Sequence, residues 1–355
     1  MALVALAGLV YFFVCAEPLP RELCLAPTWS KAVPPAAAEL QAMPVSASSH
    51  LHSFRLTSSF GYYDDAGSTI AAATVPFGAA VSDRGYVVYD RNPAAALALK
   101  SPDGSMLSRI VVPGYPFFGG GRLFVMHPGQ AAVSEIGSDG AGIWTRSFSS
   151  IVTAFDASPT MALFGLMDGT LVGLDRSGKE VLDFAPGGSR IEGIYGCAVS
   201  PDGLMAAAIC GLDRQRLVVL EKRSAAYRVT WHRYLDSDFR RPVAMAFTSD
   251  GRYLAFERDP GLGVYDRGSR IESFVGSRAL SGIGLYSPER DILLAIEGGD
   301  ADKALLCASP RGQRLFSLPF SGNEATAALS GDAIYLCVSA ADGGARLVRI
   351  DFKEE

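Results

Sequence analysis

Short apolar runs separated by tight-turn residues recur along most of this chain and predict many short β-strands. In the segment 151–184, Ser-Pro-Thr, Met-Asp-Gly and Arg-Ser-Gly-Lys divide four such runs, ending with Glu-Val-Leu-Asp-Phe. Turn formers at this spacing are typical of antiparallel sheets. The middle runs are apolar throughout, whereas the fourth alternates apolar and polar residues. The segment therefore predicts a four-stranded sheet with buried inner strands and an outer strand that faces water.

A four-residue turn phrase marks the same point of each predicted sheet, between its first and second strands. The clearest copies are Ser-Pro-Asp-Gly at 200–203, Thr-Ser-Asp-Gly at 248–251 and Ser-Pro-Glu-Arg at 287–290. Including weaker copies, the seven phrases begin at residues 82, 119, 158, 200, 248, 287 and 330, so neighbours are 37 to 48 residues apart. One further Ser-Pro-Asp-Gly, at 101–104, is off this period, and we predict that it is a later turn of the first unit. A period of this length predicts stacked small sheets.

The last repeat lacks a fourth predicted strand. Strands are predicted at 325–330, 333–339 and 345–352, and the chain then stops. Before the first unit, the alternating residues of 51–58 resemble an outer strand. We therefore expect 51–58 to complete the seventh unit, which closes a ring and removes an exposed edge.

In these turns the chain resembles the β-propellers of the WD-repeat and TolB-like groups. The resemblance rests on Ser-Pro-Asp-Gly-Leu-Met-Ala-Ala-Ala-Ile from residue 200 and Thr-Ser-Asp-Gly-Arg-Tyr-Leu-Ala-Phe from residue 248, and it covers about 51–355. No unit ends in Trp-Asp or opens with Gly-His, as strict WD repeats do. The resemblance implies an all-β, seven-bladed β-propeller of four-stranded blades, and it implies architecture alone because this fold has many functions.

Composition and charge agree with an all-β protein and exclude one class of partner. Only 19% of the 355 residues are charged, and there are 38 Gly and 20 Pro. The net charge is −5, and no run of Lys and Arg is longer than two residues. A nucleic-acid interface needs a concentrated basic surface, so we expect no nucleic-acid partner.

The N-terminus predicts export. Residues 1–16 are uncharged and apolar, which suits a signal peptide or a membrane anchor, although they are fewer than the ~20 residues of a typical span. Residues 17–50 are rich in Pro and Ala and predict a linker. We expect an exported protein, periplasmic or anchored to the outer side of the cytoplasmic membrane, that touches the membrane through the N-terminal segment only.

The reactive side chains predict no catalytic residue, metal site or cofactor. There are four His, no Gly-x-Ser-x-Gly and no Cys-x-x-Cys. We expect Cys197, Cys210, Cys307 and Cys337 to be buried free thiols, because each lies in an apolar run. Asp-Arg recurs at 175–176 and 266–267 after a third strand, and we predict that the Asp closes a turn while the Arg is solvated. The sequence leaves enzymatic activity open and favours a protein that is not an enzyme.

We expect function at the loops that join successive blades and that join second to third strands. Exposed aromatic and Arg side chains are common anchors of protein interfaces. The candidate partner-binding residues are Tyr115, Phe117, Phe118, Arg190, Asp213, Arg214, Arg240 and Arg241. The favoured hypothesis is a non-catalytic scaffold that binds another protein of the cell envelope. The alternatives are a small-molecule-binding or enzymatic propeller of the lactonase or quinoprotein type, with its ligand in the central channel, and an intracellular WD-type scaffold.

Overall fold

Thirty-one β-strands and no helix make up the part of the chain that the computed structural model describes. That part comprises residues 23–34, 50–75, 77–276, 278–287, 290–299, 302–331, 333–340 and 344–354. The strands form eight antiparallel sheets, which are the blades of a β-propeller. The expected all-β propeller is confirmed, but it has eight blades instead of seven.

Blade one contains β2 (Leu51–Arg55), β3 (Ser59–Asp64) and β4 (Thr69–Thr74). Blade two contains β5 (Gly78–Ser82), β6 (Gly85–Tyr89), β7 (Leu97–Lys100) and β8 (Met106–Ile110). Blade three contains β9 (Tyr115–Gly119), β10 (Arg122–Met126), β11 (Ala132–Ile136) and β12 (Gly142–Ser147). Blade four contains β13 (Val152–Ala157), β14 (Met161–Leu166), β15 (Leu171–Asp175) and β16 (Glu180–Phe184).

Blade five contains β17 (Ile194–Val199), β18 (Met205–Cys210), β19 (Arg216–Arg223) and β20 (Ala226–Tyr234). Blade six contains β21 (Met245–Phe247), β22 (Tyr253–Glu257), β23 (Leu262–Asp266) and β24 (Glu272–Val275). Blade seven contains β25 (Leu280–Ser287), β26 (Ile292–Gly299), β27 (Asp302–Ala308) and β28 (Arg314–Phe320). Blade eight contains β29 (Ala325–Ser330), β30 (Ala333–Ser339), β31 (Ala345–Glu354) and, outermost, β1 (Leu23–Val33).

The strand that closes the ring is β1, not 51–58 as the sequence predicted. It pairs with β31 in antiparallel register, from Leu23 opposite Glu354 to Val33 opposite Ala345. Leu25 is buried in the core between blades seven and eight, and Val33 is buried between blades eight and one. An N-terminal strand therefore does complete the last blade, but it lies within 17–50, where composition predicted a linker. The proposed signal or anchor at 1–16 lies outside the described residues.

Blade one is the extra blade, and its first described strand runs against the direction of the other inner strands. The backbone N–H of Thr57, just after β2, donates to Glu324, just before β29, at 2.6 Å. The backbone N–H of Ser53 in β2 donates to Asp83, just after β5, at 2.8 Å. The end of β2 therefore lies beside the start of β29, and the beginning of β2 lies beside the end of β5.

The seven turn phrases lie where the repeat predicted, each between the first and second strands of blades two to eight. The phrase at 101–104 lies between β7 and β8, so its prediction as a later turn of that unit is also confirmed. In blade four every residue of β14 is buried, whereas Leu182 is the one buried residue of β16. Eight apolar clusters, one at each contact between neighbouring blades, form the core of the described residues.

Candidate interaction surface

The strand order gives the ring two faces with different loops. Links between successive blades share one face with the loops that join second to third strands, and we call it the loop face. The backbone N–H of Met167 in such a loop donates to the carbonyl of Ile151 in such a link at 3.0 Å, and Leu212 donates to Ile191 in the same way at 3.1 Å. The turns between first and second strands and between third and fourth strands form the opposite face, which we call the turn face.

The repeated turn phrase is a structural element of the turn face. In the copy at 200–203 the Ser200 hydroxyl accepts from the Met205 N–H at 2.9 Å, and Asp202 accepts from the Leu204 N–H at 2.9 Å. Gly203 has φ = 68°, a conformation that favours glycine. The polar side chains of the phrase thus form hydrogen bonds within the turn. We therefore expect functional residues elsewhere.

The Asp-Arg pairs follow the sequence prediction only in part. Asp175 accepts from the backbone N–H groups of Ser177 and Lys179, at 2.8 and 3.0 Å, and so closes its turn as expected. The arginines are not merely solvated: Arg176 pairs with Glu135 of blade three at 2.8 Å, and Arg267 pairs with Asp202 of blade five at 3.1 Å. Each therefore ties its blade to the preceding one.

The predicted aromatic residues divide into one surface residue and two packing residues. The Tyr115 hydroxyl donates to the Arg91 carbonyl at 3.0 Å on the loop face. Phe117 packs against Phe124 and Phe155, with ring centroids 5.6 and 4.7 Å away. Phe118 packs against the core between blades two and three. Phe117 and Phe118 thus lie on an inner strand, half-buried between blades.

An aromatic row that the sequence reading missed continues from Tyr115. The Tyr115 ring lies 5.9 Å from Tyr89, which lies 6.1 Å from Phe77, both edge to face. Phe77 immediately precedes β5 and is 46% exposed. The signal in the sequence was a large apolar residue at the end of an inter-blade link, and it was concealed because the residues around it are also apolar.

Phe77 is the first of several exposed apolar side chains on consecutive links of the loop face. These residues are between 37% and 62% exposed, and we call them the apolar arc: Phe77, Val111, Ile151, Met167 and Ile191. They occupy the four links from blade one to blade five and the middle loop of blade four. Scattered exposed apolar residues are ordinary, but a series on one face is a candidate interaction surface.

Arg190 and Asp213 meet across two neighbouring loops at the end of the apolar arc. The Arg190 backbone N–H donates to the Asp213 carboxylate at 3.2 and 3.3 Å, and the Ser189 hydroxyl also donates to it. The Ser189 hydrogen bond holds the pKa of Asp213 below its usual range. Asp213 therefore orders these loops, and the Arg190 side chain is left exposed on their surface.

Arg214 follows Asp213 in the same loop of the loop face. Its guanidinium lies over the ring of Tyr234, 4.1 Å from the centroid, and Arg216 approaches the same ring at 5.9 Å. The Arg216 guanidinium also donates to the Gly187 carbonyl at 3.0 Å, so it forms a hydrogen bond within the protein. Arg214 is exposed, and no hydrogen bond from its guanidinium donors is found among the described residues.

Arg240 and Arg241 are adjacent in sequence but occupy different environments. Arg241 donates from two guanidinium nitrogens to Glu257, at 3.0 and 2.5 Å, and the Glu257 side chain is only 3% exposed. Hydrogen bonds from Arg241 to the buried carboxylate raise the pKa of the guanidinium. Both arginines are exposed, but Arg241 is held by Glu257, whereas no hydrogen bond from the Arg240 side chain is found among the described residues.

The described histidines do not form a catalytic or metal-binding set. No group of three or more His, Cys, Asp and Glu side chains that could hold a metal ion occurs among the described residues. His127 contacts the Ser134 hydroxyl at 2.7 Å, and this hydroxyl lies 2.8 Å from that of Thr145. Ser134 is fully buried, so no substrate can reach it. His52 is buried beside Asp65, at 2.8 Å.

Cys197, Cys210, Cys307 and Cys337 are buried and free, as the sequence predicted. Burial raises the pKa of the Cys307 and Cys337 thiols to about 12 and that of Cys197 above its ordinary value. Within the described ranges, no helix is long and apolar enough to cross a membrane.

Known proteins place this chain in a family. A family model described as a beta-propeller protein matches residues 1–354. A Treponema pallidum (strain Nichols) protein, described as uncharacterized, is 31% identical over 301 residues that cover 82% of this chain and 78% of the relative. The chain therefore belongs to this family of β-propeller proteins, and its resemblance to WD-repeat and TolB-like propellers is confirmed.

Two solved structures share the fold at low sequence identity. BamB from Moraxella catarrhalis has a TM-score of 0.60 at 14% identity and covers 93% of this chain and 100% of its own. The computationally designed Ika8 protein has a TM-score of 0.63 at 13% identity and covers 91% and 98%. A natural and a designed protein match this chain about equally well, so these similarities show architecture alone.

Proposed function

We propose that this protein is a non-catalytic binding scaffold, exported or tethered to the membrane in the cell envelope, that holds another protein on its loop face. The observation that carries the proposal is the apolar arc, whose five side chains are exposed on four consecutive links and one middle loop of the same face. A partner that covered them would remove apolar surface from water, which stabilises a complex by about 25 cal/mol per Å².

Exposed arginines near the end of the arc support the same assignment. Arg190, Arg214 and Arg240 are exposed on the loops of blades four to six. Apolar anchors beside Arg side chains are the usual composition of an interface that combines affinity with specificity. The expected partner surface is therefore apolar where it meets the arc and acidic where it meets the arginines.

The cellular location in the proposal rests on residues 1–16, which are uncharged and apolar. Cell fractionation with a C-terminal tag, followed by protease treatment of intact and permeabilised cells, tests it. We expect the propeller to fractionate with the envelope and to be digested only when the outer barrier is opened. Recovery in the cytosolic fraction would contradict the location while leaving the binding proposal intact.

Binding is tested by cross-linking and affinity purification from cells that express tagged variants. We expect Ile151→Asp combined with Met167→Asp to lose a co-purifying protein that the unmodified chain retains. The matched control is Ile271→Asp, because Ile271 is 66% exposed but lies in the β23–β24 turn on the opposite face. Loss of the partner with the control variant, or its retention by the double variant, would refute the loop face as the binding surface.

A further inference from the structure

The turn face contains a cavity between blades two and three that the loop-face scaffold does not use. Its volume is about 730 Å³, and it opens to solvent. Strands and turns of both blades line it, and the β15–β16 turn of blade four contributes Arg176. A volume of this size accommodates several amino-acid side chains or a small ligand.

Apolar side chains line both the buried part of this cavity and its exposed edge. Leu123 and Ile136 are buried beneath it, whereas Leu107 and Ile143 on the outer strands β8 and β12 are about half exposed. Gly140 brings the two blades together here: a side chain at this residue would meet the Arg109 carbonyl at 2.2 Å, and its φ is 84°. The two blades therefore approach each other closely at this turn, and we call the open cavity between them the groove.

Three arginines line the groove: Arg84, Arg122 and Arg176. The Arg122 guanidinium is held by hydrogen bonds within the protein. Arg122 and Arg176 both pair with Glu135, whose side chain is 1% exposed and which also accepts from Trp144 at 2.8 Å. Arg122 donates two nitrogens to this carboxylate and a third to the Ser158 carbonyl. The charge of Glu135 is therefore balanced by Arg122 inside the protein.

Arg176 and Arg84 keep donors that face the groove. Arg176 is half exposed, and one of its five N–H groups is used on Glu135. Arg84 is exposed, and no ion pair to it is found among the described residues; the neighbouring Asp83 instead accepts from Ser53 of blade one. The remaining acid of the lining, Asp139, accepts from the backbone N–H of Ala141 in its own turn at 3.0 Å.

We propose that this groove binds an extended peptide segment of a partner protein, in which a carboxylate side chain is flanked by apolar residues. The carboxylate lies between Arg84 and Arg176, because a guanidinium fork matches a carboxylate in both charge and geometry. The flanking residues lie against Leu107 and Ile143. A fatty acid carries the same charge and apolarity, but an open groove would leave most of an acyl chain in water, so a peptide fits better.

The test uses the full chain and a fluorescein-labelled peptide, Gly-Leu-Glu-Leu-Glu-Leu-Gly, with matched peptides that carry Gln or Lys in place of both Glu. Fluorescence anisotropy should detect saturable binding of the Glu peptide, weakened about tenfold or more by Gln and abolished by Lys. Binding should also weaken as NaCl rises from 50 to 300 mM, because two exposed guanidinium groups carry it. Equal binding of all three peptides would overturn the proposal.

Two charge-reversal variants locate the binding. Arg84→Glu should weaken the Glu peptide at least about tenfold. Arg311→Glu, with the same charge change in the exposed β27–β28 turn of the same face, should leave it unchanged. Equal loss in both variants would mean attraction to the overall charge of the protein and would refute the groove. Displacement by oleate without any Glu preference would assign the groove to a lipid, and the proposal would also fail.

The outcome is independent of the loop face. Ile151→Asp combined with Met167→Asp should bind the Glu peptide as the unmodified chain does, because the substitutions lie on the opposite face of the ring. Loss of peptide binding in this variant would show that the peptide meets the loop face, and the groove assignment would be wrong.

Discussion

Asp156, on the innermost strand of blade four, accepts a hydrogen bond at 2.8 Å from the backbone N–H of Val199 on the innermost strand of blade five. The other carboxylate oxygen accepts from the N–H of Ala157, also at 2.8 Å. Burial raises the pKa of Asp156 to about 6, although both hydrogen bonds act in the opposite direction. This carboxylate therefore joins the inner strands of two blades, and no ion pair to it is found in the part of the chain that the structure describes.

We predict that Asp156 makes the stability of the ring fall as pH rises from about 4 to 6. In this range the folded protein holds a proton on Asp156, whereas an aspartate of the unfolded chain, with a pKa near 3.9, has released it. Folding therefore takes up a proton, and its contribution is largest below about pH 4. Relative to Asp156→Asn, which cannot titrate, the free energy of unfolding should decrease by about 1–3 kcal/mol across this range. Urea unfolding at several pH values measures it.

The control for this experiment is Asp103→Asn on the turn face. Hydrogen bonding from the Ser101 hydroxyl lowers the pKa of Asp103 to about 2. A lowered pKa gives the opposite sign, so the difference from the unmodified chain should change only below about pH 4 and should shrink as pH falls. A flat difference for Asp156→Asn between pH 4 and 7 would contradict the assignment.

The closing strand should be essential to the stability of the ring. Leu25→Asp would place a charge in the core between blades seven and eight, where Leu25 is 6% exposed, and should reduce the free energy of unfolding by about 3 kcal/mol or more. Ser30 on the same strand is exposed, so Ser30→Asp should change the free energy of unfolding by less than about 0.5 kcal/mol. Urea unfolding followed by tryptophan fluorescence compares the two.

Removal of residues 1–34 extends this prediction. It should leave the edge of β31 unpaired and promote association, because an unpaired strand edge is a template for other chains. Size-exclusion chromatography of the truncated chain should show oligomers. A monomeric truncated chain with unchanged stability would mean that β1 contributes little to closure.

Seven of the eight blades could be predicted because a marked turn joins their first and second strands. Blade one was not predicted, because the turn phrase joins first and second strands. The two described connections of blade one correspond instead to those between second and third and between third and fourth strands. The closing strand escaped because Pro27 and its neighbours look like a linker. Pro27 lies at a register shift of an outermost strand, where a missing N–H is tolerated. Gly67, with φ = 72°, then accommodates the ring of Trp29.

The sequence could predict which face of the ring the candidate residues lie on, but it could not predict which of them are exposed. The loop positions of Arg190, Arg214 and Arg240 follow from the strand order, which the repeat reveals. The burial of Phe117 and Phe118 depends on which side of an inner strand faces the next blade, and this register is set by contacts between repeats. The same is true of Arg241, whose acid partner Glu257 is the last residue of a strand that is otherwise apolar.

The two adjacent arginines provide a sharp test of structural against binding roles. Arg241→Ala should reduce the free energy of unfolding by about 1–3 kcal/mol, because it leaves the buried carboxylate of Glu257 without its bidentate partner. Arg240→Ala should leave stability unchanged within about 0.5 kcal/mol. Urea unfolding measures both variants at the same pH and salt concentration. Equal effects would show that the Arg241–Glu257 pair does not hold the loop.

The four buried thiols should report the opening of the ring. With pKa values of about 12, Cys307 and Cys337 are about one part in ten thousand thiolate at pH 8, and their strands also exclude reagent. We therefore expect Cys197, Cys210, Cys307 and Cys337 to resist iodoacetamide in the native protein and to react in urea. Peptide mass spectrometry resolves each site, and Ser249→Cys, at an exposed turn residue, supplies a freely reacting control.

If the blades unfold as one unit, all four sites should become reactive at the same urea concentration. Reaction of any of them at the rate of the control in native protein would contradict the closed ring, and an earlier reaction of Cys337 would locate the first opening in blade eight.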